Sequence, residues 1–303
     1  MKLFITGANG QLGTELQDML HTGQAEISAI PVNYADAEVL AVDKEELDLT
    51  DFTAVQQMLQ QFAPDIIINC AAFTNVDGCE INQDTAFLVN SVVPQQLALY
   101  ANKTGCKLVQ VSTDYVFAGN GSQPYKEWDI CAPDSIYGKS KYLGEQYVQQ
   151  QCSTAFIVRT AWLYGYHGRN FIKTIGGAAK AGKALTVVND QQGNPTNAND
   201  LAYHILKLAL TEQYGVYHCT NNGTCSWYDF ACAFLQMAGI DNLPAPCTTE
   251  AFYAGKEPKP ANRPAYSSLD NMALRNTVGD EMRTWQDALA QYMKNGLERG
   301  IFA

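Results

Sequence analysis

Between residues 2 and 160 the chain alternates short Val- and Ile-rich runs with longer amphipathic segments, and this alternation constrains the fold more than any other feature. The runs are KLFITG (2–7), VLAVD (39–43), DIIINCAA (65–72), KLVQVST (107–113) and AFIVRT (155–160). Each has strand length, and the segments between them, such as QLGTELQDML and FTAVQQMLQQF, have helical spacing. Near-continuous apolar strands separated by helices predict βαβ units, with a parallel sheet covered on both faces. Right-handed crossovers then make an α/β, doubly wound sheet the economical topology. No run is long enough to cross a bilayer, and glycines interrupt the N-terminal MKLFITGANG before it can form a signal-peptide core. A cytoplasmic protein with no membrane partner is expected.

The second half reads differently. From Trp162 to Thr196 the sequence is rich in Gly, Asn and Gln, whereas DLAYHILKLAL and VYHCTN (216–221) read as a helix and strand returning to the sheet. A further helix (SWYDFACAFLQMAG), a proline-rich section (244–264) and a closing helix after Trp285 follow. This predicts a sheet domain of residues 1–161 plus 197–222. A smaller, mainly C-terminal substrate-binding lobe of residues 162–196 plus 223–303 would cap the C-terminal edge of the sheet, where ligands of such sheets bind.

The net charge of −11 argues against a nucleic-acid partner, because a phosphate backbone calls for a basic surface. The nine cysteines include no CxxC pair and the four histidines are scattered, so reduced thiols filling core positions are expected, with no metal assigned.

TGANGQLG (6–13) sits between the first strand and the first helix. Gly7 permits a tight turn, Gly10 a close approach by a pyrophosphate, and Gly13 packing of the helix on the strand. The helix start, with Gln11 and Leu12, offers free N–H groups and positive dipole to phosphates. A Rossmann-like dinucleotide site follows. Asp43, ending the second strand, can accept hydrogen bonds from an adenosine ribose, which favours NADH, while Lys44 tolerates the extra phosphate of NADPH. Asp48 and Leu49 are placed for the adenine, and Ala71, Ala72, Phe73 and Thr74 for the cofactor's path.

Tyr137 and Lys141 in IYGKSKYLGE lie four apart on one helix face. An ammonium about 5 Å from the phenol, at an effective dielectric of about 20, would favour phenolate by roughly 3 kcal/mol, or about two pKa units. Such a tyrosine would work as an acid–base group near neutral pH. Thr113, ending VQVST, can bond the same substrate oxygen. Tyr137 and Lys141 therefore belong to both the catalytic and the cofactor set, and Thr113 to both the catalytic and the substrate set.

Together TGANGQLG, NCAAFTNVDGCE, VSTDYVFAG, YGKSK and RTAWLYG resemble the extended short-chain dehydrogenase/reductase family. With VVNDQQGNPT and NRPAYSSLD they resemble its dTDP-4-dehydrorhamnose reductase branch over nearly the whole chain. The resemblance implies NAD(P)H-dependent reduction of the C4 ketone of dTDP-4-dehydro-L-rhamnose. Tyr137 would be the proton donor, Lys141 its partner and Thr113 the carbonyl-oxygen donor. Asp114 and Trp162 would contact the sugar, with packing between lobes as the alternative for Trp162. Arg263 is the candidate for the nucleotide diphosphate, with a surface arginine fixed by its proline as the alternative. Asp114-Tyr115 lacks the Asp-Glu pair of the related dehydratases, which argues against elimination. Some relatives form a dimer around Mg²⁺; Glu15 and Asp190 stand where such ligands occur, but the third position is Asn295, so a homodimer stays open and Mg²⁺ is unassigned. The alternatives are another dTDP-4-keto-sugar reductase, or a non-catalytic regulatory subunit like the β subunit of methionine adenosyltransferase.

Overall fold

The computed structural model describes residues 1–258 and 260–300. Lys259, in the proline-rich section, and residues 301–303, at the end of the expected second lobe, lie outside the described residues.

The five apolar runs form strands β1 (Lys2–Thr6), β2 (Glu38–Val42), β3 (Ile66–Asn69), β4 (Lys107–Thr113) and β5 (Ala155–Thr160). With Gly215–His218 they make one six-stranded sheet, ordered Gly215–His218, β5, β4, β3, β1, β2, and every pairing is parallel. The returning strand is shorter than the run VYHCTN, and beyond it the chain leaves the sheet, where Asn222 N donates to Arg283 O at 2.8 Å.

Alternate residues of one strand feed opposite cores. Leu3 and Ile5 pack with Leu16, Val109, Leu201 and Ile205 on one face. Phe4 packs with Ile67, Leu97, Leu108, Val148 and Ile157 on the other. Each such fully buried side chain contributes about 1.5–3 kcal/mol, so this two-sided burial dominates the sheet's stability. A third core gathers Tyr164, Phe230, Trp285, Leu289 and Tyr292, all from the segments after β5. Among the described residues no helix is long and apolar enough to cross a membrane.

The chain runs from β1 outward to β2, then returns to place β3 on the other side of β1. The loops after β1 and β3 therefore diverge, opening a crevice at their C-terminal ends.

Candidate active site

A cleft of about 920 Å³ fills that crevice. Gly7 begins its floor with φ +67°, and a Cβ there would come within 2.8 Å of Ala71 N. Gly13 is tighter still, since its Cβ would lie 2.2 Å from Gly7 O. Helix Gln11–Thr22 starts above this turn with Gly10 as N-cap, and no side chain caps it. Its first N–H groups therefore face the cleft with the positive end of the helix dipole.

Of the residues singled out in the sequence, Gly7, Gly10, Gln11, Leu12, Gly13, Asp43, Asp48, Leu49, Ala71, Ala72 and Thr74 lie in the wall on the glycine-turn side. Asp43 closes on the turn, its Oδ2 accepting from Asn9 N at 2.9 Å. The Thr50 hydroxyl and amide both donate to Asp48 Oδ1 and hold that carboxyl below its ordinary range. Thr113, Asp114, Tyr137, Lys141 and Trp162 line the other side. The two halves of the motif pattern thus meet in one cavity.

Two of the expected residues lie outside this wall. Phe73 is not in the cleft wall; its N–H donates to Asn90 Oδ1 at 2.8 Å and its carbonyl accepts from Asn90 Nδ2, which ties its backbone to the neighbouring helical segment. Arg263 also lies outside this wall. It lines a smaller cavity of about 220 Å³ beside Tyr115. Its guanidinium is engaged by Asp77, Nη1 to Oδ1 at 3.0 Å and Nη2 to Oδ2 at 2.8 Å, and it lies over the Tyr253 ring.

The electrostatics of the tyrosine also differ from expectation. Ser135 caps helix Ile136–Gln151 through Gly138 N, and this helix carries Lys141 into the interior and a half-buried Tyr137 to the cleft wall. Burial is the largest influence on Tyr137 and pushes its phenol above the ordinary value of 10.0; the neighbouring Thr113 hydroxyl pulls it down, and Asp114 pushes it up. Burial pulls Lys141 down to about 8, against the carboxylate of Glu145. The ammonium donates to Val111 O rather than acting on the phenol alone. Burial thus favours the protonated form of the Tyr137 phenol.

Asp114 is buried and its carboxyl is pushed up to about 6 by burial, with the Ser267 and Thr113 hydroxyls pulling the other way. Thr113 Oγ1 donates to Asp114 Oδ1 at 2.9 Å. Ser112 Oγ and Thr160 Oγ1 are buried polar atoms without hydrogen-bond partners, and both residues belong to the cleft wall. Unpaired buried polar groups are rare in native interiors and call for a partner. The open Gly10 cradle, the uncapped helix end and these orphaned oxygens fit a polar dinucleotide and a hydroxyl-rich substrate.

Sequence reasoning did not select Thr160, Trp227 or Arg169, which also line the cleft. Thr160 ends β5 as Thr113 ends β4, so the strand-end rule would have found it. Trp227 begins an ordinary amphipathic segment, and nothing local marks it.

The expected Mg²⁺ candidates are committed elsewhere. Glu15 Oε2 accepts from Asn199 at 3.0 Å, Asp190 accepts from the Thr249 amide and hydroxyl, and Asn295 donates to Glu26. Among the described residues no cluster of three or more His, Cys, Asp or Glu is arranged to hold a metal.

The family model described as "RmlD substrate binding domain" matches residues 1–297. The spore coat polysaccharide biosynthesis protein SpsK of Bacillus subtilis is 40% identical, over 97% of each chain. A dTDP-4-dehydrorhamnose reductase structure from Clostridium acetobutylicum is 44% identical with TM-score 0.88, covering 97% of this chain and 99% of that one. The Bacillus anthracis dTDP-4-dehydrorhamnose reductase, solved in complex with NADP, is 39% identical with TM-score 0.88 at the same coverage. The likeness runs over nearly the full length of these proteins, and the chain belongs to the RmlD family, as a homologue of the dTDP-4-dehydrorhamnose reductases.

Proposed function

We propose that the protein is an NAD(P)H-dependent reductase that converts the C4 ketone of dTDP-4-dehydro-L-rhamnose to the alcohol of dTDP-L-rhamnose. The observation that carries this reading is the position of a half-buried Tyr137 beside Thr113, in the same cleft as Lys141 and the glycine turn. The NADP bound to the B. anthracis relative supports the choice of cofactor.

Gly7, Gly10, Gly13 and the start of helix Gln11–Thr22 would hold the pyrophosphate, and Asp43 the ribose. The nicotinamide, when bound, supplies a hydride to the ketone carbon. As that C–H bond forms, the carbonyl π pair moves to oxygen, which becomes a strong base. Tyr137 O–H donates its proton there, and the Thr113 hydroxyl, turned from Asp114 Oδ1, donates its one hydrogen bond to the same oxygen. A phenol held above 10 still transfers its proton downhill to an alkoxide, and it stays loaded at neutral pH. The Lys141 ammonium stabilises the phenolate left behind.

The SpsK likeness favours a second reading within the same chemistry, a related dTDP-4-keto sugar with the same proton donor. A panel of dTDP-4-keto sugars assayed with NADPH and with NADH, read at the nicotinamide absorbance, separates the two. Tyr137→Phe is expected to lower kcat by about 10²–10⁴-fold while leaving NADPH affinity unchanged. Unaltered turnover would remove Tyr137 from its role, and no oxidation of either cofactor with any sugar would point to a regulatory subunit instead.

A further inference from the structure

Trp162 has φ +46°, a left-handed backbone conformation that bulky residues avoid unless their surroundings impose it. Three contacts impose it here. The indole of Trp227 stacks on that of Trp162, with ring centroids 3.7 Å apart and planes within 9°. Gly193 lies against the pyrrole side of the ring; a Cβ there would come within 2.6 Å of Trp162 Cε2 and 2.8 Å of Nε1. Thr196 N donates to Trp162 O at 3.2 Å, so the QGNPT segment holds the backbone as well as the ring.

The supports are themselves fixed. Trp227 is the first residue of helix Trp227–Met237, whose start carries a reciprocal Ser226–Asp229 capping box, and Phe171 backs its ring at 4.5 Å. Asn194, next to Gly193, donates to Gly223 O and accepts from Leu269 N. Both indoles line the cleft, and Trp227 covers one face of Trp162. The substrate therefore meets the uncovered part of Trp162 rather than intercalating against that face.

We propose that Trp227 and Gly193 are positioning residues that lock the Trp162 indole into the cleft wall, so that its exposed edge fixes where the sugar nucleotide lies relative to Tyr137. This rests on the reading of Trp162 as a substrate contact. The glycine of QGNPT is then required by the ring packed against it, and the aromatic at the start of the second-lobe helix by its stack.

The test measures KM and kcat for dTDP-4-dehydro-L-rhamnose and Kd for NADPH in Trp162→Ala, Trp227→Ala, Trp227→Phe and Gly193→Ala. Trp227→Ala and Gly193→Ala are expected to raise KM about tenfold with smaller changes in kcat and unchanged NADPH affinity. Trp227→Phe, which keeps a stacking ring, restores KM to within about threefold of wild type. Gly193→Ala disturbs the ring without altering the helix of Trp227, so it decides the matter if Trp227→Ala does not fold. If Trp162→Ala raises KM but neither Trp227→Ala nor Gly193→Ala does, the positioning role falls and the substrate contact stands. If Trp162→Ala leaves KM unchanged, both fall. Equal losses of NADPH affinity, or a KM that Trp227→Phe does not restore, would assign the effect to structure alone and overturn the proposal.

Discussion

Lys141 Nζ donates 2.7 Å to the carbonyl of Val111, two residues before Thr113 on β4, which joins the tyrosine-bearing helix to the strand that delivers the threonine. The bond anchors an ammonium that is 96% buried, since its exposure is 4%. With its pKa drawn down to about 8, the native state releases a proton that the unfolded chain keeps until near 10.5. Across that window the unfolded state binds more protons, so this residue makes stability rise with pH. Lys141→Met removes the effect. The stability of the variant relative to wild type is expected to fall by up to about 3 kcal/mol between pH 7.5 and 10.5, measured by urea unfolding of the cofactor-free protein. A flat difference would mean that the ammonium is solvated in the native state.

The glycines of the turn serve separable purposes. At Gly13 a methyl would collide with backbone on two sides, Gly7 O at 2.2 Å and Ala8 Cα at 2.9 Å. At Gly10 it would meet only Gly7 O at 3.2 Å. Gly13→Ala is expected to lower Tm by several degrees, in line with an overpacking cost of about 1–3 kcal/mol. Gly10→Ala should keep Tm within about two degrees yet weaken NADPH binding about tenfold or more, by obstructing the phosphate approach. Thermal melts with fluorescence titration of NADPH separate the two, and full cofactor affinity in Gly10→Ala would move the pyrophosphate elsewhere.

One turn beyond Lys141 the helix carries Glu145, paired in the interior with Arg159 of β5, Nε to Oε1 at 3.0 Å and Nη2 to Oε2 at 2.7 Å. Burial and the Arg159 charge together push the neighbouring His218 down to about 3, so it adds no competing cation. Removing one partner strands the other charge. Glu145→Met and Arg159→Met are each expected to cost about 3–5 kcal/mol, whereas the double Glu145→Met/Arg159→Met variant recovers most of it. Glu145→Met also removes the carboxylate that supports the Lys141 ammonium, so its activity should decline at a lower pH than that of wild type. Additive losses in the double variant would show that the pair is not an energetic unit.

The sheet was legible because strands buried on both faces leave unbroken apolar runs, and the cleft because three glycines and a Tyr-Lys spacing are local patterns. What escaped was set by distant partners. The guanidinium of Arg263 pairs with Asp77, 186 positions away, and no local pattern marks that pairing. The amide of Phe73 is tied to Asn90 in the same unannounced way. The effect of Lys141 on Tyr137 was expected from helix spacing alone, but burial, which depends on all the chain packed around the pair, outweighs it. Trp227 carries no local signal, because its partner Trp162 is brought to it only by the fold.

Asp114 allows a last prediction in which stability and binding move in opposite directions. Its carboxyl titrates near 6 in the folded protein instead of the ordinary 3.8. Between those values the native state holds a proton that the unfolded chain releases, so this residue's contribution is greatest below the lower value and is lost as pH rises through the upper one. Above the upper value the protein carries a buried carboxylate whose burial the Ser267 and Thr113 hydroxyls offset only in part. Asp114→Asn is neutral throughout and avoids that loss. It is expected to match wild type in stability near pH 4 and exceed it by up to about 3 kcal/mol at pH 7, in the cofactor-free state. The same substitution removes the anionic acceptor offered to a sugar hydroxyl and should raise KM for the sugar nucleotide about tenfold, because charge-assisted hydrogen bonds are the stronger kind. Paired urea titrations at pH 4 and 7, with KM measured at pH 7, read both effects. A variant less stable at pH 7 than wild type would show that Asp114 is stabilised as an anion by the fold, and its place as a substrate acceptor kept poised in the cleft would be lost.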